Sequence, residues 1–78
     1  MRTYPNPASE FINIDLDASW NETTMVTLFS NTGTAIKSVN ATLPRTSINV
    51  SDLESGSVFV VVSDDEKRVR KQLLIETI

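Results

Sequence analysis

Hydrophobic and polar residues alternate along most of the chain, with a period of two residues rather than the 3.6 of a helix. From Phe11 to Asp17 the alternation places Ile12, Ile14 and Leu16 on one face and polar residues on the other. This pattern predicts a strand of an antiparallel sheet with one face buried and the other in water.

The next apolar segments predict a hairpin. Met25 to Ser30 places Val26 and Leu28 on the inner face, and Ala35 to Val39 can return beside it. The intervening Asn31-Thr32-Gly33 supplies a residue that can take a positive φ, which tight hairpin turns require.

The second half of the chain predicts three more strands. Thr46 to Ser51 alternates again, and Leu53 in the following turn is expected to pack against the core. Val58 to Val62 is continuously apolar, which is typical of a central strand covered on both faces. After the polar connection Ser63 to Glu66, a last strand completes a second hairpin.

The last strand is expected to place Val69, Leu73 and Ile75 on its inner face. The polar face would carry Arg68, Arg70, Gln72 and Glu76. No segment has a helical period, so the chain is predicted to be all-β, a small Ig-like antiparallel β-sandwich of about six to seven strands.

Composition narrows the function classes. The chain has 78 residues, enough for a single domain, with 40% hydrophobic residues and neither cysteine nor histidine. Thiol nucleophiles, zinc ribbons and histidine bases are therefore absent, so we predict no catalytic, metal or cofactor site and no enzyme. A net charge of −3 argues against nucleic acid as a partner. No apolar run approaches the ~20 residues of a membrane span or forms an N-terminal export signal.

Two acidic groups could bind calcium. Asp15 and Asp17 are two residues apart on one face, where they could alternatively pair as acid and base, and Asp64, Asp65 and Glu66 form a polar turn. In both places a solvated surface is the preferred interpretation, since strand faces and turns commonly carry such residues.

Four of the seven positive charges fall within five residues, at Lys67, Arg68, Arg70 and Lys71. They could dock an anionic partner surface or pair with neighbouring acids, and the sequence leaves both open.

Trp20 is expected to cap one end of the sandwich, although it could instead anchor a partner. Phe59 and Val61 are expected to pack beneath a second layer rather than form an exposed apolar patch.

Four blocks of the sequence resemble a known family. They are Tyr4-Pro5-Asn6-Pro7 with the following Ala8 to Ile14, then Val26 to Gly33, then Ile48 to Gly56 with its leucine-x-x-glycine corner, and finally Lys71 to Glu76. Their order and spacing resemble those of the C-terminal sorting domains of the Bacteroidetes type IX (Por) secretion system. The resemblance runs from Tyr4 to Glu76, with Val58 and Val61 at positions where the family usually has tyrosine and lysine.

The resemblance implies that residues 1–78 are a removable sorting signal, excised from a larger secreted protein. It would be read in the periplasm by type IX shuttle and translocon proteins, carry an upstream cargo to the cell surface or medium, and be removed by a sortase-like peptidase. The residues it suggests for recognition are Tyr4, Pro5, Asn6, Pro7 and Gly56. We expect recognition also to use exposed strand edges and the final hairpin, from Lys67 to Glu76 with Lys67, Arg68, Arg70 and Lys71, because an unpaired edge offers backbone donors and acceptors to another chain. Because both prolines lack a donor, Tyr4 to Pro7 is expected to be an extended crossover outside the sheet, with Tyr4 folded onto the core.

Two other functions remain open at this point. An adhesive or carbohydrate-binding sandwich would stack Trp20 on a sugar ring, but one tryptophan and one tyrosine make a poor platform. A structural spacer beside a catalytic domain is also compatible with the sequence, since a fold does not dictate a function.

Overall fold

The computed structural model describes residues 2–5 and 8–76. Within these residues the chain forms seven strands and no helix. They are β1 (Arg2–Tyr4), β2 (Phe11–Asp15), β3 (Met25–Ser30), β4 (Ala35–Asn40), β5 (Arg45–Asn49), β6 (Gly56–Ser63) and β7 (Arg68–Ile75). The predicted all-β class is confirmed, and β2 to β7 correspond to the six strands predicted from the sequence.

The strands form two antiparallel sheets that pack face to face. The smaller sheet has the order β1-β2-β5 and the larger has the order β4-β3-β6-β7. The alternating apolar residues of both sheets meet between them, because burying these side chains is the main favourable term in folding. The fully buried residues include Ile12, Ile14, Val26, Leu28, Val50, Val60, Val62 and Ile75.

Both predicted hairpins are present. Gly33 has a φ of +91° in the turn between β3 and β4, a conformation that favours glycine. In the turn between β6 and β7, the Asp64 carboxylate accepts hydrogen bonds from the backbone N–H groups of Glu66 and Lys67, both at 2.8 Å. These bonds satisfy donors that the tight turn would otherwise leave unpaired.

The corner before β6 also depends on a glycine. Gly56 has a φ of +148°, which side-chain-bearing residues rarely adopt, and no atom lies within 4 Å of the position that a Cβ would occupy. The backbone conformation rather than lack of space therefore calls for glycine here. Leu53 packs against the core in the preceding turn, as predicted.

The prediction for the start of the chain is wrong in one respect. Tyr4 lies in β1 and pairs with Asn13 of β2, so it belongs to the sheet instead of an extended crossover. Tyr4 keeps its own backbone N–H, because a proline removes only its own donor, and a residue that precedes proline favours the extended conformation that a strand needs. Thr3 is the buried residue of β1, whereas Tyr4 is half-buried on the outer face. Asn6 and Pro7 lie outside the described residues.

Ala8 connects the two sheets. It pairs in parallel with Ile75 at the end of β7, through Ala8 N–H to Leu74 O at 2.9 Å and Glu76 N–H to Ala8 O at 2.8 Å. The chain then returns to the smaller sheet as β2. Ala8 is completely buried, so this crossing forms part of the core.

Two predictions for the larger sheet need correction. β6 is central, between β3 and β7, but no second layer among the described residues covers its outer face. Val61 is buried and Phe59 half-buried there, beneath side chains of their own sheet. Val69, predicted to face inward, is 37% exposed. It lies on an edge strand of a four-stranded sheet, and the opposing sheet has only three strands to cover it.

Candidate functional site

The register of the last hairpin places two arginines on the outer face of the larger sheet. Arg70 lies opposite Val61 and Arg68 opposite Ser63. The Arg70 guanidinium carbon lies 4.9 Å from the centre of the Phe59 ring, within the range of a cation–π contact. Both arginines are exposed, so they border an apolar outer surface with positive charge.

The two lysines of the predicted basic cluster lie elsewhere. Lys67 bends towards the loop that follows β2, where its ammonium donates to Ser19 O at 2.6 Å and lies 4.5 Å from the centre of the Trp20 ring. Lys71 lies opposite Val60, on the inward side of the edge strand, and is exposed. The four basic residues therefore divide between the turn and the two faces of β7.

The outer face of the larger sheet is shallow and part apolar. One depression is lined by Thr27, Phe29, Val61 and Arg68, among others, and an adjoining one by Phe29, Phe59 and both arginines. Phe29 and Phe59 lie opposite each other on β3 and β6. Periodicity alone missed Phe29, because outer and inner residues look alike in an apolar strand.

Trp20 is confirmed as a cap of the sandwich. It is 6% exposed and belongs to the core, while its Lys67 contact lies at the surface end. A tryptophan this deeply buried stabilises the domain rather than presenting a ring to a sugar.

Tyr4, Pro5 and Gly56 lie apart from the two arginines. The Tyr4 hydroxyl donates to Asp15 at 3.1 Å on the smaller sheet, and Arg2 and Arg45 lie over its ring at 4.9 and 5.6 Å. The arginines of β7 are on the outer face of the other sheet. Of the nine residues suggested for recognition, the seven that the structure describes therefore do not form one patch.

Three of the five candidate calcium ligands, Asp15, Asp17 and Asp64, are engaged with neighbouring groups. Asp15 accepts a hydrogen bond from Arg45 Nε at 2.7 Å, and Asp17 accepts one from the Ser19 backbone N–H at 2.9 Å. Asp64 binds backbone amides of its own turn. Among the residues that the structure describes, no three acidic side chains come together as a metal site.

Several carboxylates titrate below their ordinary range. The hydrogen bond from Arg45 lowers the pKa of Asp15, that from the Ser19 hydroxyl lowers the pKa of Asp17, and that from Lys37 lowers the pKa of Asp52. Backbone N–H donation from Glu66 lowers the pKa of Asp64. Each of these groups therefore stabilises the folded state more when it is ionised.

We expect acid to destabilise the domain through these groups. A carboxylate whose folded-state pKa lies below the ordinary 3.8 stabilises the folded state at pH values above 3.8. This stability is lost as the pH falls through the folded-state pKa. The urea midpoint, followed by circular dichroism at constant ionic strength, should be level from neutral pH to about pH 5 and fall below about pH 4. Asp64→Asn should make the fall shallower. A midpoint that stays level down to about pH 2 would show that these contacts contribute nothing.

Comparison with known proteins identifies the family. The family of secretion system C-terminal sorting domains matches residues 2–76, which is nearly the whole chain. No curated protein and no solved structure matches the chain. None of the described residues forms a helix long and apolar enough to cross a membrane. Since the match extends from β1 to the residue after β7, the chain belongs to the family of type IX secretion system C-terminal sorting domains.

Proposed function

We propose that the domain directs an upstream cargo through the outer-membrane translocon of the type IX system and is removed at the cell surface by a sortase-like peptidase. The family match over residues 2–76 is the observation that carries this proposal. In this proposal residues 1–78 form a single sorting unit of a larger secreted protein. The unit passes through the periplasm, and its cargo ends at the surface or in the medium.

The fold supports a role as a signal that is read while folded. Domains of this family serve as sorting signals and are generally non-catalytic, and the surface described above offers a partner shallow depressions with a basic border. We propose that the partner reads surface features that exist only after folding, such as the register that places Arg68 and Arg70 on one face. Tyr4, from the family's opening segment, then contributes on the opposite sheet, and Gly56 acts by shaping the corner.

A reporter experiment tests the proposed function. Residues 1–78 are fused to the C-terminus of a fluorescent protein directed to the periplasm of a Bacteroidetes host. We expect the reporter to reach the surface or the medium with a mass that shows removal of the domain. The same fusion in a host without a working type IX translocon should remain periplasmic at full mass.

The recognition residues are tested in the same host. Charge reversal at Lys67, Arg68, Arg70 and Lys71 together should reduce export, with retention of the fold checked on the isolated domain by circular dichroism. Unchanged export would remove these four residues from the proposed site. A folded parent fusion that stays intact in the periplasm would overturn the sorting function itself.

A further inference from the structure

The contacts of Ala8 show which backbone groups of β7 point away from the sheet. Leu74 C=O accepts from Ala8 and Glu76 N–H donates to Ala8, so both point away from β6. Backbone groups alternate in direction along a strand paired on one side. Arg68, Arg70 and Gln72 therefore direct their N–H and C=O groups to this same outer edge.

Most of this edge is open. Among residues 2–5 and 8–76, β7 pairs with β6 along its length and with Ala8 only opposite Ile75. From Arg68 to Gln72, no strand of that part of the chain lies beside the edge of β7 that faces away from β6. Unpaired edges offer rows of donors and acceptors that readily accept another extended chain.

Positive charge accompanies the open edge on both faces. Arg68 and Arg70 lie on the outer face and Lys71 on the inner side, and all three are exposed. The ion pairs found among the described residues are Lys37–Asp52 and Arg45–Asp15. The three basic side chains of β7 are therefore available to carboxylates of another molecule.

The same charges exclude a second copy of this edge as the occupant. Two β7 edges side by side would place arginines and lysines next to one another, and like charges in neighbouring strands are destabilising. An acidic strand instead gains cross-strand attraction from Arg68 and Arg70. An apolar residue of that strand on the inner side would cover Val69, which is 37% exposed.

We propose that an acidic, extended segment of a partner protein adds to β7 along Arg68–Gln72 as a fifth strand of the larger sheet. Carboxylates of the segment lie on the outer face beside the two arginines, and apolar residues alternate with them on the inner face beside Val69. This inference rests on the proposed sorting function, because a sorting signal is read by another chain. Ala8 marks where the added strand must stop.

Amide hydrogen exchange tests the added strand directly. The probe is a seven-residue peptide of alternating glutamate and valine with blocked ends, and the matched control peptide has lysine in place of glutamate. With the glutamate peptide, exchange of the Arg68, Arg70 and Gln72 amides should slow, while that of Val69 and Lys71, which face β6, should change little. The lysine peptide should change neither set. Absence of this alternation with the glutamate peptide would overturn the proposal.

Charge variants provide the second measurement. The R68E/R70E variant should bind the glutamate peptide about tenfold more weakly, because two attractive cross-strand contacts become repulsive. R2E, a single reversal at an exposed arginine of the edge strand β1, should bind like the parent. Equal affinity of R68E/R70E and the parent would exclude the charge part of the proposal.

The added strand and the sorting function can be disproved separately. If the reporter is exported but the peptide gives no alternating protection, the added strand is wrong and the sorting function stands. If the peptide protects the edge but the reporter stays periplasmic, the edge binds acidic strands and the sorting function is wrong.

Discussion

Ile14→Ala is expected to leave much of the domain unfolded at room temperature. Ile14 of β2 has no exposed surface, and truncating a fully buried isoleucine costs about 2–5 kcal/mol. A domain of this size without a disulfide retains only about 3–5 kcal/mol. Urea unfolding followed by circular dichroism should show a variant with little or no folded baseline.

Ile36→Ala is the matched control. It removes the same atoms from a residue that is 38% exposed at the irregularity between β3 and β4, so its cost should stay near about 0.5 kcal/mol. If both variants lost the same stability, the loss would come from the side chain's own β preference rather than from its burial. An Ile14→Ala variant with the parent's midpoint would contradict the packing described here.

Trp20→Ala is expected to lower the free energy of unfolding by about 3–5 kcal/mol, which is comparable to the whole stability of the domain. Trp20 is 6% exposed and closes one end of the core, and no other tryptophan occurs in the chain. The variant therefore has no indole fluorescence, and its unfolding is measured by circular dichroism.

Two substitutions separate the parts of this effect. Trp20→Phe keeps an aromatic ring in the core and should lose markedly less than alanine does. Lys67→Gln keeps the ring buried but removes the ammonium 4.5 Å from its centre, which at an exposed site is worth about 0.5–1 kcal/mol. A larger loss from Lys67→Gln than from Trp20→Ala would mean that the surface contact, not the buried ring, stabilises this end.

The alternation of hydrophobic and polar residues predicted the strands that have one buried and one solvent-exposed face, and it missed the shortest strand, β1. Ile12 and Ile14 are buried as their spacing requires, and the turn at Gly33 follows from its freedom of φ. β1 has three residues, too few for a period, and its pairing with β2 depends on residues distant in the chain. Tyr4 before a proline therefore suggested a crossover, although the residue itself retains its donor.

The candidate site was only partly accessible from the sequence. Neighbouring charges at Lys67, Arg68, Arg70 and Lys71 suggest one cluster, but consecutive strand residues point to opposite faces. The register with β6 decides which of them face Phe59, and register is a property of the pair of strands. Lys67 and Trp20 are far apart in the chain, so no local sequence pattern predicts the contact between them.

Val69 faces the inner side of the sheet but is not buried. Its spacing from Leu73 and Ile75 predicts the inner face, and its pairing with Val62 agrees. Leu73 and Ile75 are buried and Val69 is not. Periodicity gives the direction of a side chain, whereas burial also depends on whether the opposite sheet reaches that point.

The pairing of Ala8 with Ile75 also constrains the order in which contacts form during synthesis and folding. Ala8 and Ile75 lie near opposite ends of the described chain. The bridge between them, which connects the larger sheet to the segment leading into β2, therefore cannot form until β7 has left the ribosome. Contacts between such distant residues are slow to form, because the chain loses much entropy in closing so long a loop. We therefore expect this contact to form late in folding, after synthesis of the domain is complete, with the local hairpin of β6 and β7 forming earlier.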